Sequence, residues 1–310
     1  MCLGLSRLAP SPSGRIHLGN IFSFLITWAD ARSKGNRVIF RMDDLDERCK
    51  NKEVQNTLIS DLKWLGIDWD GKIIYQSERV KIYEEAFNDL KKKDVLYPCF
   101  CSRADIHAAS APHASDGTPI YSGKCKHLDP SQVEHLKEIK KFSYRVSVPD
   151  LNVTIHDEIF GNYEQNLEND CGDFIVRRSD GVFAYQLTST IDDIEMEITR
   201  IVRGCDLLAS TPRQVWLANV ISPSSQMQIS YAHLPMLINE NGQRLAKRDE
   251  SLDLGFMKQE GFSAAKIRGI IAKLAGFIND DADLSTEEFL KIFNLASLKT
   301  LGSKISISSI

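Results

Sequence analysis

The sequence lacks several features that would assign it to other classes of protein. It has no apolar run near the roughly 18 residues that a membrane span requires, and no basic segment followed by an apolar core and a cleavage site at its N-terminus. We therefore expect a cytosolic, cytoplasmic protein without a membrane anchor. Internal repeats and low-complexity segments are also absent. The net charge of −4 argues against general affinity for nucleic acids, although it permits a local basic patch for one structured RNA.

The composition is that of an ordinary globular chain. A hydrophobic fraction of 43% and a length of 310 residues suffice for one large or two medium domains, and we expect two with an insertion. Seven cysteines, an odd number in a chain without a secretion signal, favour thiols or metal ligands over disulfides.

The segment RLAPSPSGRIHLGN, residues 7–20, indicates an anion site. A short apolar strand leads into a loop with two prolines, two serines and Gly14, and a helix follows over residues 18–33. Proline stiffens such a loop, glycine permits close backbone approach, and a helix N-terminus attracts negative charge. His17 could donate to a phosphate. The alternative is an ordinary strand, turn and capped helix with His17 as the cap.

Alternating strand and helix patterns follow this loop. Residues 37–41 form an apolar run of strand length, residues 52–65 have helical spacing, and a short strand over 72–75 precedes a helix over 77–92. This βαβα order predicts an α/β fold, with a parallel sheet and flanking helices.

The pattern changes after residue 96. Residues 97–128 have no steady period, which indicates an inserted lobe, and two alternating segments at 142–148 and 151–157 predict strands paired within it. The sheet is expected to resume at 173–177, where a Ser-Asp-Gly turn predicts a hairpin into a strand over 182–190. The last sixty residues are predicted to be helical, with a frayed end.

A basic segment late in the chain is a second candidate for phosphate binding. The turn at 239–243 precedes RLAKR, residues 244–248, in which Lys247 could reach the phosphates held by the first loop. The G-x-x-x-x-G-K pattern of a Walker loop is missing. For this segment alone, a solvated basic loop is the alternative.

Several ordered segments resemble the glutamyl-tRNA synthetases of class I. They are RLAPSPSGRIHLGN, RMDDLDERCKNKE, DLKWLGIDWDG, YQSERVKIYEEA, IVRGCDLLASTPRQ and RLAKRDES. HLGN stands where that family has its HIGH signature, and RLAKR stands where it has KMSKS. The resemblance implies a Rossmann-like catalytic domain formed by residues 1–96 and 173–250. It further implies an inserted zinc-containing lobe at 97–172 and a C-terminal helical segment at 251–310.

The length of the chain narrows the resemblance to the short branch of that family. Only about 60 residues follow the KMSKS-like segment, too few for the anticodon-binding region of a full-length member. The short branch implies a monomer that activates L-glutamate with ATP and Mg²⁺ without tRNA and transfers it to the queuosine base of tRNA(Asp). Two alternatives stay open: a minimal glutamyl-tRNA synthetase that charges a tRNA 3′ end, and a tRNA-binding protein with impaired catalysis.

The resemblance also assigns site residues. Arginine is a planar, permanently charged partner for a carboxylate, which suits a glutamate site, whereas a surface arginine or a packed tyrosine would be the ordinary interpretation. Two of the assigned residues fall near the ends of predicted strands, Tyr185 in the strand over 182–190 and Arg203 in an apolar strand predicted over 198–203. The glutamate-binding positions are Arg7, Ala9, Ser11, Asp43, Tyr185 and Arg203, and the ATP-handling positions are His17, Gly19, Asn20, Arg244 and Lys247.

Two positions depart from the family pattern. Asp43 stands where the family has glutamate to hold the α-ammonium group, so the carboxylate is one methylene shorter. A bridging water or a backbone shift could fill that gap, and otherwise glutamate affinity should fall. Ala246 replaces the usual serine of KMSKS, so Lys247 should matter more.

A cysteine-rich stretch predicts a structural zinc site. Cys99 and Cys101 precede Cys125 by about two dozen residues, and thiolates at such spacing are typical zinc ligands. The fourth ligand is open between Tyr121, which the short branch of the family favours, and His127, which is the better ligand chemically because a phenol must lose a proton with a pKa near 10. Free thiols in a loop are the alternative.

Overall fold

The computed structural model describes residues 4–108, 120–223, 228–240, 242–243 and 252–307. Within them, helices and strands alternate over most of the chain. The strands are β1 (Leu5–Leu8), β2 (Arg37–Met42), β3 (Ile74–Tyr75), β4 (Leu96–Cys99), β5 (Ser143–Val146), β6 (Asn152–Asp157), β7 (Gly161–Asn166), β8 (Phe174–Arg177), β9 (Arg200–Gly204), β10 (Ser230–Leu234), β11 (Met236–Ile238) and β12 (Lys304–Ser306).

Helices cover both the first half of the chain and its C-terminal part. They are α1 (Leu18–Ser33), α2 (Lys52–Trp64), α3 (Val80–Lys92), α4 (Arg103–Ala108), α5 (Pro130–Ile139), α6 (Tyr185–Glu195), α7 (Thr211–Ile221), α8 (Leu254–Gln259), α9 (Ala264–Leu274) and α10 (Thr286–Ile292). None of these described helices combines the length and apolar character needed to cross a membrane.

A seven-stranded sheet has the order β3-β2-β1-β9-β10-β6-β7. Every neighbouring pair is parallel except β6 with β7. Chain order reverses between β1 and β9, because β2 and β3 extend the sheet to one side and β10 to the other. In doubly wound sheets, ligands bind beyond the carboxyl ends of the strands at such a switch point.

Helix α1 anchors this sheet. Its apolar side chains Leu18, Ile21, Phe22 and Leu25 are all buried, and they belong to a core that also includes Val38 from β2. The C-terminal helices contribute to the same core, which contains buried side chains from α9 and α10. Burial of this surface fixes α1 so that its N-terminal end lies beside the ends of β1 and β9.

Four predicted features of the middle and end of the chain are wrong. The segment at 151–157 does not pair with 142–148, because β5 joins β4 and β8 in a separate antiparallel sheet, whereas β6 extends the main sheet. The segment at 173–177 therefore does not resume the main sheet. Residues 185–195 form α6 rather than a strand, and Leu187 and Ile191, four residues apart, bury one helical face. At the predicted frayed end, β12 pairs with β11, and residues 308–310 lie outside the described residues.

Candidate active site

A cavity of about 420 Å³ opens at the switch point of the main sheet. Arg7 at the end of β1 and Arg203 at the end of β9 both line it, as do His17 and Asn20 at the start of α1. The structure thus brings eight of the predicted site residues to one cavity. They are Arg7, Ala9, Ser11, His17, Gly19, Asn20, Tyr185 and Arg203.

The three remaining residues of the predicted glutamate and ATP sites are not among the described cavity lining. Asp43 does not line the cavity and is buried behind it. Arg244 and Lys247 lie outside the residues that the structure describes.

His17 is the N-cap of α1. Its Nδ1 accepts from the backbone N–H of Gly19 at 3.1 Å, and its own N–H donates to the side-chain oxygen of Asn20 at 3.2 Å. Nδ1 is therefore the acceptor, which leaves the proton of a neutral imidazole on Nε2. The Gly19 N–H is used within this cap, so an anion would meet the histidine ring more readily than that amide.

The chain that follows the KMSKS-like segment returns to the same loop. Asp253 forms an isolated bridge with His17, Leu254 N donates to Ile16 O at 3.0 Å, and Arg15 pairs with Asp253 at 3.4 Å. On the other side of that segment, Met236 of β11 lines the cavity. Met236, before the segment, therefore lines the cavity, and Asp253, after it, contacts the His17 that lines the same cavity.

A buried charge cluster supports Arg7 from behind. The Nε of Arg7 donates to Asp193 Oδ1 at 3.2 Å, and the same oxygen accepts from Arg41 Nη1 at 3.1 Å. Arg41 is fully buried, and its Nε and Nη2 donate to the two oxygens of Asp43 at 2.6 and 3.1 Å. The Nε of Arg41 also lies 3.5 Å from Asp192. Such bidentate pairing fixes a guanidinium in both position and plane.

The pKa values in this cluster reflect burial opposed by pairing. Burial raises the pKa of Asp43 to about 6, although Arg41 opposes the shift through its charge and its hydrogen bonds. The pKa of Arg41 lies well above its usual value, because Asp43 and Asp193 more than offset the effect of burial. At neutral pH Arg41 and Asp43 therefore form a charged pair.

Arg203 and Tyr185 form a second polar group on the cavity wall. Arg203 Nη1 donates to the Tyr185 hydroxyl at 3.3 Å, and Nη2 donates to Thr211 Oγ1 at 2.6 Å and to Gln214 Oε1 at 2.9 Å. Tyr185 begins α6 rather than ending a strand, yet it still contacts Arg203. The two predicted glutamate contacts therefore meet although one of them lies on a wrongly predicted element.

The comparisons with known proteins identify the family. The protein-family model described as tRNA synthetases class I (E and Q), catalytic domain, matches residues 5–309. The chain belongs to this family. It is therefore a ligase of the class I synthetase type.

Relatives match over most of the chain. Glutamyl-Q tRNA(Asp) synthetase of Nitratidesulfovibrio vulgaris is 38% identical over 305 residues, which cover 95% of this chain and 93% of the relative. The protein of the same name from Neisseria meningitidis is 42% identical over 82% of this chain and 84% of the relative. A glutamate tRNA ligase from Elizabethkingia meningosepticum, solved with its amino acid, has the same fold with a TM-score of 0.79 and 24% identity over 98% of this chain and 67% of that structure.

A second cluster lies in the predicted inserted lobe. The sulfur atoms of Cys99, Cys101 and Cys125 all lie within 4.8 Å of one another, and those of Cys101 and Cys125 are 3.6 Å apart. Tetrahedral zinc with bonds of about 2.3 Å to sulfur requires sulfurs about 3.8 Å apart. The three thiols could therefore hold zinc.

The two candidate fourth ligands differ in position. The hydroxyl of Tyr121 lies 3.6 Å from Cys101 Sγ and accepts from Cys125 N at 2.8 Å, and its side chain is buried. His127 is exposed and is not part of the described cluster.

The guanidinium of Arg145 lies 3.9 Å from the Tyr121 ring centre and donates to Cys99 Sγ at 3.3 Å. Burial would raise the pKa of the Cys99 thiol, but the Tyr121 hydroxyl and the Arg145 guanidinium lower it below its usual value.

Sequence reasoning missed the residues that hold the two arginines. Asp192 and Asp193 follow the strand predicted over 182–190 and belong to no predicted element, and no role is predicted for His233. The signal that could have found them is the helical spacing of Leu187 and Ile191, which places Asp192 and Asp193 on a buried α-helix.

We predict that Arg41→Met destabilises the protein by about 3–5 kcal/mol at pH 7, because three buried carboxylates lose a shared cation. The loss should be smaller at pH 5.5, since Asp43, with a pKa of about 6, is then largely neutral and needs no counter-charge. Urea unfolding at the two pH values measures this difference. An equal loss at both would contradict the charged pairing, and Arg48→Met, at an exposed arginine, is the matched control.

Proposed function

We propose that the protein activates L-glutamate with ATP, without tRNA, and transfers the glutamyl group to the queuosine base in the anticodon loop of tRNA(Asp). The observation that carries this proposal is the cavity that Arg7 and Arg203 share with His17. The similar proteins are named glutamyl-Q tRNA(Asp) synthetases, and we take the proposed acceptor from that name. We also retain the sequence-based predictions of a monomer and of a cytoplasmic location.

The arginines leave donors for a dicarboxylate. The Arg7 side chain makes one hydrogen bond among the described residues, through Nε, so both of its terminal nitrogens can bind a carboxylate bidentately. Arg203 uses Nε and Nη2 internally and shares only one N–H of Nη1 with Tyr185. One arginine for each carboxylate of glutamate is the simplest arrangement, and Ala9 and Ser11 line the same wall.

Asp43 is assigned to the α-ammonium group. Both of its oxygens accept from Arg41, so it would bind the ammonium through their remaining lone pairs, with a water across the missing methylene. Its position outside the cavity lining fits an indirect contact.

Activation joins the two substrates within this cavity. A glutamate carboxylate oxygen bonds to the α-phosphorus of ATP while the bond to pyrophosphate breaks, so no proton needs to move. The protein must align the reactants and offset charge on the departing pyrophosphate. We assign the phosphates to His17, with Gly19 and Asn20 shaping the loop, and to Arg244 and Lys247, while Mg²⁺ would accompany ATP. In the second step a hydroxyl oxygen of the acceptor bonds to the glutamyl carbon as the bond to AMP breaks, and the phosphate of the departing AMP takes the hydroxyl proton.

We predict glutamate-dependent exchange of pyrophosphate into ATP in the absence of tRNA, because every group assigned to activation belongs to the protein. Labelled glutamate should then transfer to queuosine-containing tRNA(Asp) whose 3′ diol has been oxidised. Exchange that requires tRNA would instead support a minimal glutamyl-tRNA synthetase, and no exchange under either condition would support a binding protein. Failure to transfer to the oxidised tRNA would refute the proposed acceptor.

We predict that Lys247→Met lowers the rate of exchange by 100-fold or more, since removing one donor to a developing negative charge costs about 10²–10³ in rate. The KM for glutamate should change little. Lys258→Met, at a lysine that pairs with Asp61 on α2, is the control for general charge loss. Equal effects of the two substitutions would exclude a phosphate role for Lys247.

We also propose that Cys99, Cys101, Cys125 and Tyr121 hold a structural zinc ion. Its role would be to crosslink β4 with the chain near residue 125, because thiolate ligands from distant segments close a loop when they share one metal.

Metal analysis tests this site. Cys125→Ser should abolish zinc binding, and Tyr121→Phe should lose zinc to a chelator at lower concentration than the parent, whereas His127→Ala should behave as the parent. Preferential zinc loss in His127→Ala would make the imidazole the fourth ligand. A parent protein purified without zinc, and unable to take it up, would leave the cysteines as thiols.

A further inference from the structure

A buried histidine behind Arg203 has no role in the activation step described above. His233 on β10 is fully buried and contacts both a carboxylate and a guanidinium. Its Nδ1 lies 2.7 Å from Asp157 Oδ2, and its Nε2 lies 3.1 Å from Arg203 Nε and 3.1 Å from Thr211 Oγ1. The ring therefore bridges the end of β6 and the cavity arginine.

These contacts permit one protonation state. Arg203 Nε is always a donor, so Nε2 of His233 must accept and cannot carry a proton. Asp157 in its ionised form only accepts, so Nδ1 must donate to it. The imidazole is therefore neutral with its proton on Nδ1, and a doubly protonated ring would place a second N–H against Arg203.

Asp157 is held firmly enough to fix that ring. Its Oδ1 accepts from the backbone N–H groups of Ile159 and Phe160 at 3.0 and 2.9 Å, and its Oδ2 accepts from His233 N at 2.9 Å as well as from the ring. Burial raises the pKa of Asp157, but the hydrogen bonds from His233 and the backbone outweigh it and leave the pKa below its usual value.

The charges that face His233 agree with a neutral ring. Burial lowers its pKa, and the guanidinium groups of Arg203 and Arg7 lower it further, while Asp157 opposes them. Tyr231 stacks beside the ring as a neutral phenol, since burial raises its pKa to about 12. Burial and the two guanidinium groups together outweigh the one carboxylate, Asp157, and favour the neutral imidazole of His233 at physiological pH.

We propose that Asp157 and His233 form a positioning relay that fixes the guanidinium of Arg203 for the amino-acid substrate. This inference rests on the proposed glutamate site. With Nε held by His233 and Nη2 held by Thr211 and Gln214, rotation of the guanidinium is blocked, and Nη1 faces the cavity beside Tyr185. Because Asp157 comes from the segment predicted as the inserted lobe, the relay also ties that segment to the glutamate pocket.

The tautomer can be measured without any substrate. In protein labelled with ¹⁵N-histidine, the signal assigned to His233 by its loss in His233→Gln should show a proton on Nδ1 and an unprotonated Nε2 at pH 7.5. A ring protonated on Nε2, or on both nitrogens, would overturn the relay. This readout does not depend on activity, so it separates failure of the relay from failure of the proposed function.

Paired substitutions test the effect on the substrate. The amide of His233→Gln can place an acceptor near the position of Nε2, whereas that of His233→Asn reaches only the position of Nδ1 and leaves Arg203 Nε unpaired. We expect the KM for glutamate in pyrophosphate exchange to rise about tenfold in His233→Asn, the cost of one unmade hydrogen bond to a buried charge. His233→Gln should stay within about threefold of the parent, and the KM for ATP should be unchanged in both.

The matched control is His156→Asn, at an exposed histidine on β6, which should have parental kinetics. A parallel rise in both KM values, or no rescue by glutamine, would reduce His233 to a packing residue. If His233→Asn does not fold, Asp157→Asn provides the second test, because the amide can donate to Nδ1 and shift the ring proton to Nε2. A parental KM for glutamate in a folded Asp157→Asn with that shifted tautomer would also overturn the proposal.

Discussion

The site depends on keeping arginines out of water while leaving some of their N–H groups unused. A guanidinium buried without partners would cost several kcal/mol, so the buried arginines Arg7, Arg41 and Arg203 are each anchored by described residues. Asp193 binds Arg7 through Nε alone, and Arg41 lies deeper and is satisfied by Asp43 and Asp193. Arg203 is anchored by neutral acceptors instead. Arg7 has a carboxylate partner that offsets part of its charge, whereas Arg203 has none. The two arginines should therefore attract an anionic ligand with different strength.

This electrostatic arrangement depends on the sheet. Parallel strands place Arg7 and Arg203 at the carboxyl ends of adjacent strands β1 and β9, and reversal of chain order between them leaves room for a cavity. Helix α1 begins at the same edge, capped by His17, so the positive end of a helix and two guanidinium groups converge. The bridge between His17 and Asp253 then returns the chain after the KMSKS-like segment to the cavity. Groups that are far apart in sequence thus meet around one cavity.

Local sequence patterns predicted the first third of the fold well. The helix over 18–33 has the predicted bounds, because its apolar positions repeat at helical spacing and its cap residues can bond only locally. Prediction failed at residues 182–190, where β-branched residues and a turn signal favoured a hairpin but packing of Leu187 and Ile191 against the core favoured α6. It also failed for β6, since an alternating segment does not specify which strand it will pair with. Strand partners depend on contacts between distant segments, which no local period records.

The sequence by itself determined the order of motifs that relates the chain to class I synthetases, and it indicated candidate side chains for binding carboxylates, phosphates and zinc. The tertiary structure decided how those side chains are held. Only folding could place Asp193 behind Arg7, withdraw Asp43 from the cavity into a fork with Arg41, choose Tyr121 over His127 as the neighbour of the three thiols, and set His233 between Asp157 and Arg203. The physical reason is that hydrogen bonds and desolvation act over a few ångströms between residues that are far apart in the chain, such as Arg7 and Asp193 at 186 positions.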